Sequence, residues 1–238
     1  MQEDIPAPLI TQGDRNVTYP IPVGPEASGY HSPLFKDSNM GLIVIQEWWG
    51  LNKAIMTTSD KIASQGFSVL CPDIYRGKLA KDRETAGHLK TGLDWDDAVQ
   101  VIAGAANYLL SQNCKKVGVM GFCMGGALSI ATICFWGKLF AASAPFYGIP
   151  DMSRWDVRKI TCPVSLNFAE FDDKQGFSDP ESARQLEKLM KDGGINVNLK
   201  VWEKVDHSFM NQDSKLYDKE TATKALEEVV GFMKKNLE

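Results

Sequence analysis

Short, uninterrupted apolar runs recur along the chain, and they constrain its fold more than any other feature of the sequence. The clearest occupy residues 41–46, 67–71 and 116–120. A strand that is buried on both faces is apolar at every position, whereas a half-exposed strand alternates. Three further strands are predicted, at residues 140–147, 163–168 and 196–201.

Helical patterns separate these runs. Between residues 95 and 110, apolar side chains recur along one stripe at helical spacing. Ser178-Asp-Pro-Glu181 has the pattern of a capping box with a proline in the first turn, which predicts that a helix follows Ser178. Other helices are predicted at residues 54–65, in short form within 78–93, at 124–135 and at 221–235.

Strands that alternate with helices indicate an α/β fold, with a mostly parallel, doubly wound sheet and helices on both faces. We predict one domain over residues 1–238, in which residues 1–40 form an N-terminal strand and loop segment. The strand is expected near residues 17–23. Four prolines between residues 20 and 33 disfavour a central strand there, and we expect loop up to residue 40.

The composition narrows the classes of partner. The net charge is −4 and no long basic run is present, which gives no electrostatic reason to expect nucleic acid or an anionic membrane. No apolar run reaches the roughly 20 residues of a membrane-spanning helix. Residues 1–10 lack a signal-peptide pattern, and five cysteines at irregular spacing suggest reduced thiols in a cytoplasmic protein. We expect a monomer or a weak homodimer.

Cys123 occupies the position that most clearly suggests catalysis. It lies in Gly121-Phe-Cys-Met-Gly-Gly126, between a predicted buried strand and a predicted buried helix. This is the spacing of a nucleophile elbow, in which small residues on either side permit a sharp turn. The helix N-terminus would favour the thiolate, and the Met124 N–H would be available to an oxyanion. The alternatives are a buried core cysteine, which is common, and a dinucleotide loop, whose glycine spacing does not fit.

A nucleophile at an elbow requires a base and an acid, which follow it in that fold in the order nucleophile, acid, histidine. Among three histidines, His207 lies just after the last predicted strand, where a catalytic histidine is expected. The predicted strand at residues 163–168 leads into Asp172, which we choose as the acid that orients the imidazole. Asp173 and Glu170 remain alternatives, and each of the three carboxylates could instead be a solvated turn residue.

Together these residues resemble the dienelactone hydrolase family, also called carboxymethylenebutenolidases, which have the α/β-hydrolase fold. The resemblance extends from about residue 41 to residue 232. Five motifs carry it: Gln46-Glu-Trp-Trp-Gly-Leu-Asn52, Cys71-Pro-Asp-Ile-Tyr-Arg-Gly77, Gly121-Phe-Cys-Met-Gly-Gly126, Glu170-Phe-Asp172 and His207-Ser-Phe-Met-Asn211. Their joint occurrence in this order is far more specific than any single motif.

The resemblance implies further site residues. Glu47 corresponds to a family glutamate that contacts the resting cysteine and takes its proton when substrate binds. The backbone N–H of Trp48 would be the second oxyanion donor. Arg76 matches one of two family arginines that bind a substrate carboxylate, but Asn211 or Gln212 stands near the position of the second. The remaining candidate substrate contacts are Trp49, Tyr75 and Ser208.

The expected function is therefore cleavage of a small-molecule ester or lactone through a thioester, without a metal or an organic cofactor. A thiolate leaves readily from a tetrahedral intermediate, which favours activated esters, enol esters and lactones over amides. Two other classes of function remain open. One is a glycoside hydrolase with Glu47 and Asp172 as its carboxylate pair. The other is a non-catalytic protein that retains the fold and a reactive thiol.

Overall fold

The protein is described by a computed structural model that covers residues 15–238. The expectation about a signal peptide concerns residues 1–10, which lie outside this range. Within the described range, eight strands form one sheet. They are β1 (Val17–Tyr19), β2 (Ala27–His31), β3 (Met40–Ile45), β4 (Ser68–Pro72), β5 (Lys116–Phe122), β6 (Ala142–Phe146), β7 (Val164–Ala169) and β8 (Val197–Trp202).

The sheet is mostly parallel. Its strand order is β1-β2-β4-β3-β5-β6-β7-β8. The pairs β1–β2 and β2–β4 are antiparallel, and every other neighbouring pair is parallel. The predicted α/β class is therefore confirmed. The prediction of loop up to residue 40 is wrong for β2, in which residues 29–31 pair with residues 70–72 of β4.

The missed strand has a physical explanation. Its sequence, Ala-Ser-Gly-Tyr-His, contains few residues with a high strand propensity, so pairing within the fold decides its conformation. Gly29 permits the close approach, because a Cβ there would lie 2.6 Å from the Cys71 carbonyl oxygen of β4. The prolines flank β1 and β2 and lie within neither strand, so they do not interrupt the ladder.

In the part of the chain that the structure describes, six α-helices cover the two faces of the sheet. They are α1 (Lys53–Ala63), α2 (Arg83–Thr91), α3 (Trp95–Ser111), α4 (Met124–Trp136), α5 (Pro180–Asp192) and α6 (Lys219–Leu237). The predicted start of α5 is wrong. Asp179, rather than Ser178, caps this helix, because its carboxylate accepts the Ser182 N–H at 2.9 Å and Pro180 is the first helical residue.

In residues 15–238, two large hydrophobic clusters form most of the core, one on each face of the sheet, and a small third cluster contains Val99, Ala131 and Trp155. Along β3, Ile43 and Ile45 pack in one cluster with side chains of α3, α4 and α5. Leu42 and Val44 point the other way and pack with side chains of α1 and α6. Because both faces are covered, the central strands are apolar throughout, as their sequence predicted. Residues 15–238 contain no helix that is both long enough and apolar enough to cross a membrane.

Candidate active site

Five polar or reactive side chains follow the carboxyl ends of five parallel strands. Glu47 follows β3, Cys123 follows β5, Tyr147 follows β6, Asp172 follows β7 and His207 follows β8. All five side chains are buried. The carboxyl ends of parallel strands meet at one edge of the sheet, where ligands bind in open α/β folds.

The elbow at Cys123 has the geometry that its glycines predicted. Cys123 has φ 54° and ψ −118°, a strained backbone conformation for a residue with a side chain, and it immediately precedes α4. Its N–H donates to the Phe146 carbonyl at 3.1 Å. A Cβ on Gly121 would overlap the Gly125 carbonyl, and one on Gly125 would lie 2.5 Å from the carbonyl oxygens of Ile45 and Gln46. The elbow therefore requires glycine at both positions.

The approach of Gly125 to the end of β3 brings the first turn of α4 next to the segment that carries Glu47 and Trp48. The Met124 N–H lies in the first turn of α4, where a backbone donor has no acceptor within the helix. The indole rings of Trp48 and Trp49 pack edge to face with centroids 5.2 Å apart. Both are partly exposed and line a cleft.

His207 and Asp172 form a buried pair. The Nδ1 atom of His207 lies 2.5 Å from Oδ2 of Asp172, although 35 residues separate them in the sequence. Burial of Asp172 favours its neutral form. The hydrogen bond from His207 and the positive charge of the imidazolium nevertheless hold the pKa of Asp172 below the usual value. The alternatives do not make this contact, because Glu170 instead accepts the Lys204 N–H at 2.8 Å on the surface and Asp173 lines the cleft.

His207 also interacts with Cys123. Burial opposes the imidazolium, but the negative charge of Cys123, a hydrogen bond to it and the contact with Asp172 together raise the pKa of His207 to about 10. Cys123, His207 and Asp172 thus form a continuous chain of contacts, with the imidazole in the middle. The other two histidines lie elsewhere. His31 hydrogen-bonds Ser68 at 2.9 Å in the core, and His88 is exposed on α2.

Glu47 is held by two residues whose contacts the sequence did not reveal. Its Oε2 atom accepts a hydrogen bond from Asn211 Nδ2 at 2.6 Å, and Oε1 accepts one from the Tyr147 hydroxyl at 3.4 Å. Burial raises the pKa of Glu47, whereas the positive charge of His207 and both hydrogen bonds oppose the rise. One signal could have identified Tyr147, because it follows a strand end just as Cys123 and Asp172 do.

The cleft has a volume of about 430 Å³, which is in the range of small-molecule sites. Cys123, His207, Ser208 and both tryptophans line it. Among the described residues, four basic and three acidic ones share its wall: Arg83, Lys90, Lys174, Lys215, Asp173, Asp206 and Asp213. A smaller pocket beside it is lined by Glu47 and Tyr147, and it shares Trp49, Asn52 and Asn211 with the cleft.

Two residues predicted to contact substrate lie elsewhere, and neither belongs to the cleft wall that residues 15–238 form. Arg76 makes a bidentate ion pair with Asp97 of α3, at 3.1 and 2.7 Å, and also donates to the Glu26 carbonyl. Its guanidinium is thereby held by structural contacts within the fold. Tyr75 is buried below the elbow, where its hydroxyl donates to Met124 Sδ at 3.0 Å.

Comparison with known proteins identifies the family of the chain. The sequence profile of the dienelactone hydrolase family matches residues 30–237. The chain belongs to the dienelactone hydrolase family. It is thus a carboxylic ester hydrolase of the ester and lactone type, with the α/β-hydrolase fold.

Two proteins of related sequence and one crystal structure illustrate how similar this chain is to known proteins. Protein usf of Aquifex pyrophilus is 35% identical over 207 residues, which cover 83% of this chain and 88% of that protein. Carboxymethylenebutenolidase 1 of Cupriavidus pinatubonensis is 28% identical over 79% of this chain and 83% of its own. The crystal structure of a dienelactone hydrolase-like promiscuous phosphotriesterase from metagenomic libraries superposes with a TM-score of 0.77. It is 19% identical and covers 94% of this chain and 98% of that one.

Proposed function

We propose that this hydrolase cleaves a small ester or lactone through a thioester on Cys123, with His207 as base and Asp172 as the residue that orients it. One observation carries the proposal. The imidazole that is hydrogen-bonded to Asp172 also interacts with the thiol at a strained strand-to-helix elbow, and both line the same cleft. A nucleophile, its base and an orienting acid in this order are what acyl transfer requires.

In the acylation step, the Cys123 thiolate attacks the substrate carbonyl. The backbone N–H groups of Met124 and Trp48 donate to the resulting oxyanion, and such donors commonly make the largest contribution to the rate. When the intermediate collapses, the carbon–oxygen bond to the leaving group breaks, and the His207 imidazolium protonates that oxygen. The products of this step are the thioester and a free alcohol, or an opened lactone that remains attached to Cys123.

In the deacylation step, neutral His207 removes a proton from water, which attacks the thioester and expels the Cys123 thiolate. Asp172 keeps the proton of the imidazole on Nδ1, so that Nε2 is the basic atom. Glu47 is held by Asn211 and Tyr147, and its negative charge stabilises the imidazolium. We assign Glu47 this electrostatic role. The contact with the resting cysteine and the uptake of its proton, which the resemblance implied, stay a prediction.

The substrate is a small molecule that fits beside Trp48 and Trp49. Because Arg76 is paired with Asp97, it is not included in the substrate-binding group, and we propose that Ser208 and Trp49 contact the substrate instead. The expected preference for activated esters and lactones follows from the thiolate as a leaving group. We further propose that the enzyme works in a reducing compartment, the cytoplasm, as a monomer or weak homodimer. All five cysteines are free thiols, which supports the compartment.

The glycoside hydrolase alternative fits the geometry poorly. A glycosidase requires both carboxylates to face the glycosidic bond. The side chain of Asp172 is fully buried and hydrogen-bonded to His207, so it cannot reach a sugar in the cleft. The second alternative, a non-catalytic thiol protein, differs in its prediction. It would label with thiol reagents but would not hydrolyse esters.

The test is hydrolysis of p-nitrophenyl acetate and a panel of small lactones by the wild type, Cys123→Ala and Cys123→Ser at neutral pH. Cys134→Ser is the matched control, because Cys134 is a partly buried thiol outside the cleft. We expect Cys123→Ala to lose more than about 10³-fold in kcat/KM, as other nucleophile deletions do, and Cys134→Ser to keep wild-type activity. Full activity of Cys123→Ala would contradict the proposal.

A further inference from the structure

Lys174 connects the wall of the cleft to the acid of the triad. Whereas Oδ2 of Asp172 contacts His207, its Oδ1 atom accepts two hydrogen bonds from Lys174, one from the backbone N–H and one from Nζ, each at 3.3 Å. The Asp172 side chain is fully buried, but the Lys174 side chain is 47% exposed and lines the cleft. The carboxylate therefore lies between an imidazole and an ammonium group.

The backbone of Lys174 is fixed by the turn that follows it. Its carbonyl accepts three N–H groups, those of Phe177, Ser178 and Asp179, at 3.1, 3.0 and 3.3 Å. Asp179 in turn caps α5. The contact between the Asp172 carboxylate and the N–H two residues later is a local turn of the kind that aspartate commonly makes. The position of Lys174 is thus set by the sequence around it.

The charge of Lys174 acts on His207 through Asp172. The ammonium group stabilises the Asp172 carboxylate and lowers its pKa, although the contribution of His207 is larger. A carboxylate that is partly compensated by a cation stabilises the neighbouring imidazolium less strongly. His207 is also faced by the thiol of Cys123 and by the carboxylate of Glu47. The other charged groups of the cleft are Arg83, Lys90, Lys215, Asp173, Asp206 and Asp213.

We propose that Lys174 is a positioning residue that fixes the second oxygen of Asp172 and limits the basicity of His207, so that the imidazole is neutral when the thioester must be hydrolysed. The inference rests on the proposed function, because it concerns the base of the deacylation step. In the thioester, Cys123 carries no charge, so the imidazole keeps Asp172, Glu47 and Lys174 as charged neighbours, together with Asp206, whose carboxylate accepts the His207 backbone N–H.

The experiment is the pH dependence of thioester hydrolysis, which is the steady-state rate that follows the p-nitrophenol burst when deacylation is slow. Lys174→Met and Lys174→Gln remove the charge, and Lys174→Arg keeps it. We expect Lys174→Met and Lys174→Gln to move the ascending limb of the profile of hydrolysis rate against pH upward by about 0.5 pH unit. The shift is small because half-exposed ion pairs are weak. Lys174→Arg is expected to leave the limb near its wild-type position.

Lys200→Met is the matched control. Lys200 pairs with Glu228 at 3.4 Å with nearly the same exposure, 45%, but outside the cleft. Lys200→Met should leave the ascending limb of the pH profile at its wild-type position. Superimposable profiles for the wild type, Lys174→Met and Lys174→Gln would overturn the inference, as would a failure of Lys174→Arg to restore the limb. If Cys123→Ala is inactive while the Lys174 variants are unshifted, only this inference fails. If Cys123→Ala is active, the proposed function itself fails.

Discussion

The buried carboxylate of Asp172 lies 2.5 Å, Oδ2 to Nδ1, from the imidazole of His207, which lines the cleft. The contact joins the loop after β8 to the loop after β7, which are neighbouring parallel strands. In the proposed mechanism, this contact keeps the proton of neutral His207 on Nδ1 and leaves Nε2 to act on Cys123 or water. Several expected outcomes depend on this pair and on the groups around it.

Asp172→Asn should lower turnover by roughly 10³–10⁴-fold, because an amide can favour the wrong tautomer of the imidazole while preserving its shape. The measurement is steady-state hydrolysis of p-nitrophenyl acetate. Glu170→Gln is the control, since Glu170 contacts the Lys204 N–H at the surface and not His207. Equal losses in the two variants would show that neither carboxylate is the specific partner of His207.

The protonation of His207 should depend on Cys123. In the resting wild type, the negative charge of Cys123 and the contact with Asp172 outweigh burial and raise the pKa of His207 to about 10, whereas burial lowers the pKa of His31 to about 4. Imidazole NMR of the three histidines can follow both titrations. The imidazolium should thus persist at neutral pH and be lost as pH rises towards 10. Cys123→Ala removes one anion, so the midpoint should fall; an unchanged midpoint would argue against a coupled pair.

Asn211→Leu should shift the acidic limb of the pH profile of the acylation rate to higher pH. Asn211 donates to Glu47 at 2.6 Å, and this bond opposes the rise in the pKa of Glu47 that burial causes. A hydrogen bond to a charged group contributes about 1.5–3 kcal/mol, which corresponds to roughly one to two pH units. Below that pKa, neutral Glu47 no longer stabilises the imidazolium. The p-nitrophenol burst rate, measured against pH, reports the limb.

Tyr147→Phe is a graded comparison for the same network. Its hydroxyl donates to Glu47 over 3.4 Å, a longer and weaker contact. We expect a shift in the same direction as for Asn211→Leu, but smaller. Asn211→Asp should also shift the limb upward, because a second carboxylate disfavours ionisation of Glu47. If all three limbs coincide with the wild type, Glu47 does not contribute its charge to acylation.

Gly125→Ala should destabilise the fold, since the new Cβ would lie 2.5 Å from two backbone carbonyl oxygens at the end of β3. Overpacking of this kind costs about 3 kcal/mol. Gly231→Ala is the control, and its effect on stability should have the opposite sign. Gly231 lies in α6, and no neighbouring atom lies within 4 Å of the position that a Cβ would take. That change should stabilise by about 0.5–1 kcal/mol. Urea unfolding midpoints test both; a stable Gly125→Ala variant would refute the steric argument.

The order of strands and helices was largely predictable, because burial on two faces leaves a continuous apolar signal in β3, β4 and β5. The elbow was predictable as well, since its glycines and its cysteine are adjacent in sequence. Strand β2 was not, because its small and polar residues are placed by pairing with β4. The cap of α5 was misplaced by one residue, because Ser178 and Asp179 both favour that role.

Contacts between distant residues were harder to predict. Asn211 and Glu47 are 164 positions apart, and nothing in either segment indicates that they meet. The position of Arg76 also depends on the fold, which brings Asp97 of α3 to its guanidinium. The sequence favours Asp172 over its neighbours Asp173 and Glu170. In the structure Asp172 contacts His207, whereas Glu170 accepts the Lys204 N–H and Asp173 lines the cleft.

Intact-protein mass spectrometry of His207→Ala mixed with p-nitrophenyl acetate tests whether hydrolysis passes through a covalent thioester on Cys123. Without its base, the variant should deacylate slowly and accumulate the mass of one acetyl group, which peptide mapping should locate on Cys123. Cys123→Ala in the same background should show none. An adduct on another residue, or normal ester turnover with no adduct in His207→Ala, would contradict the account.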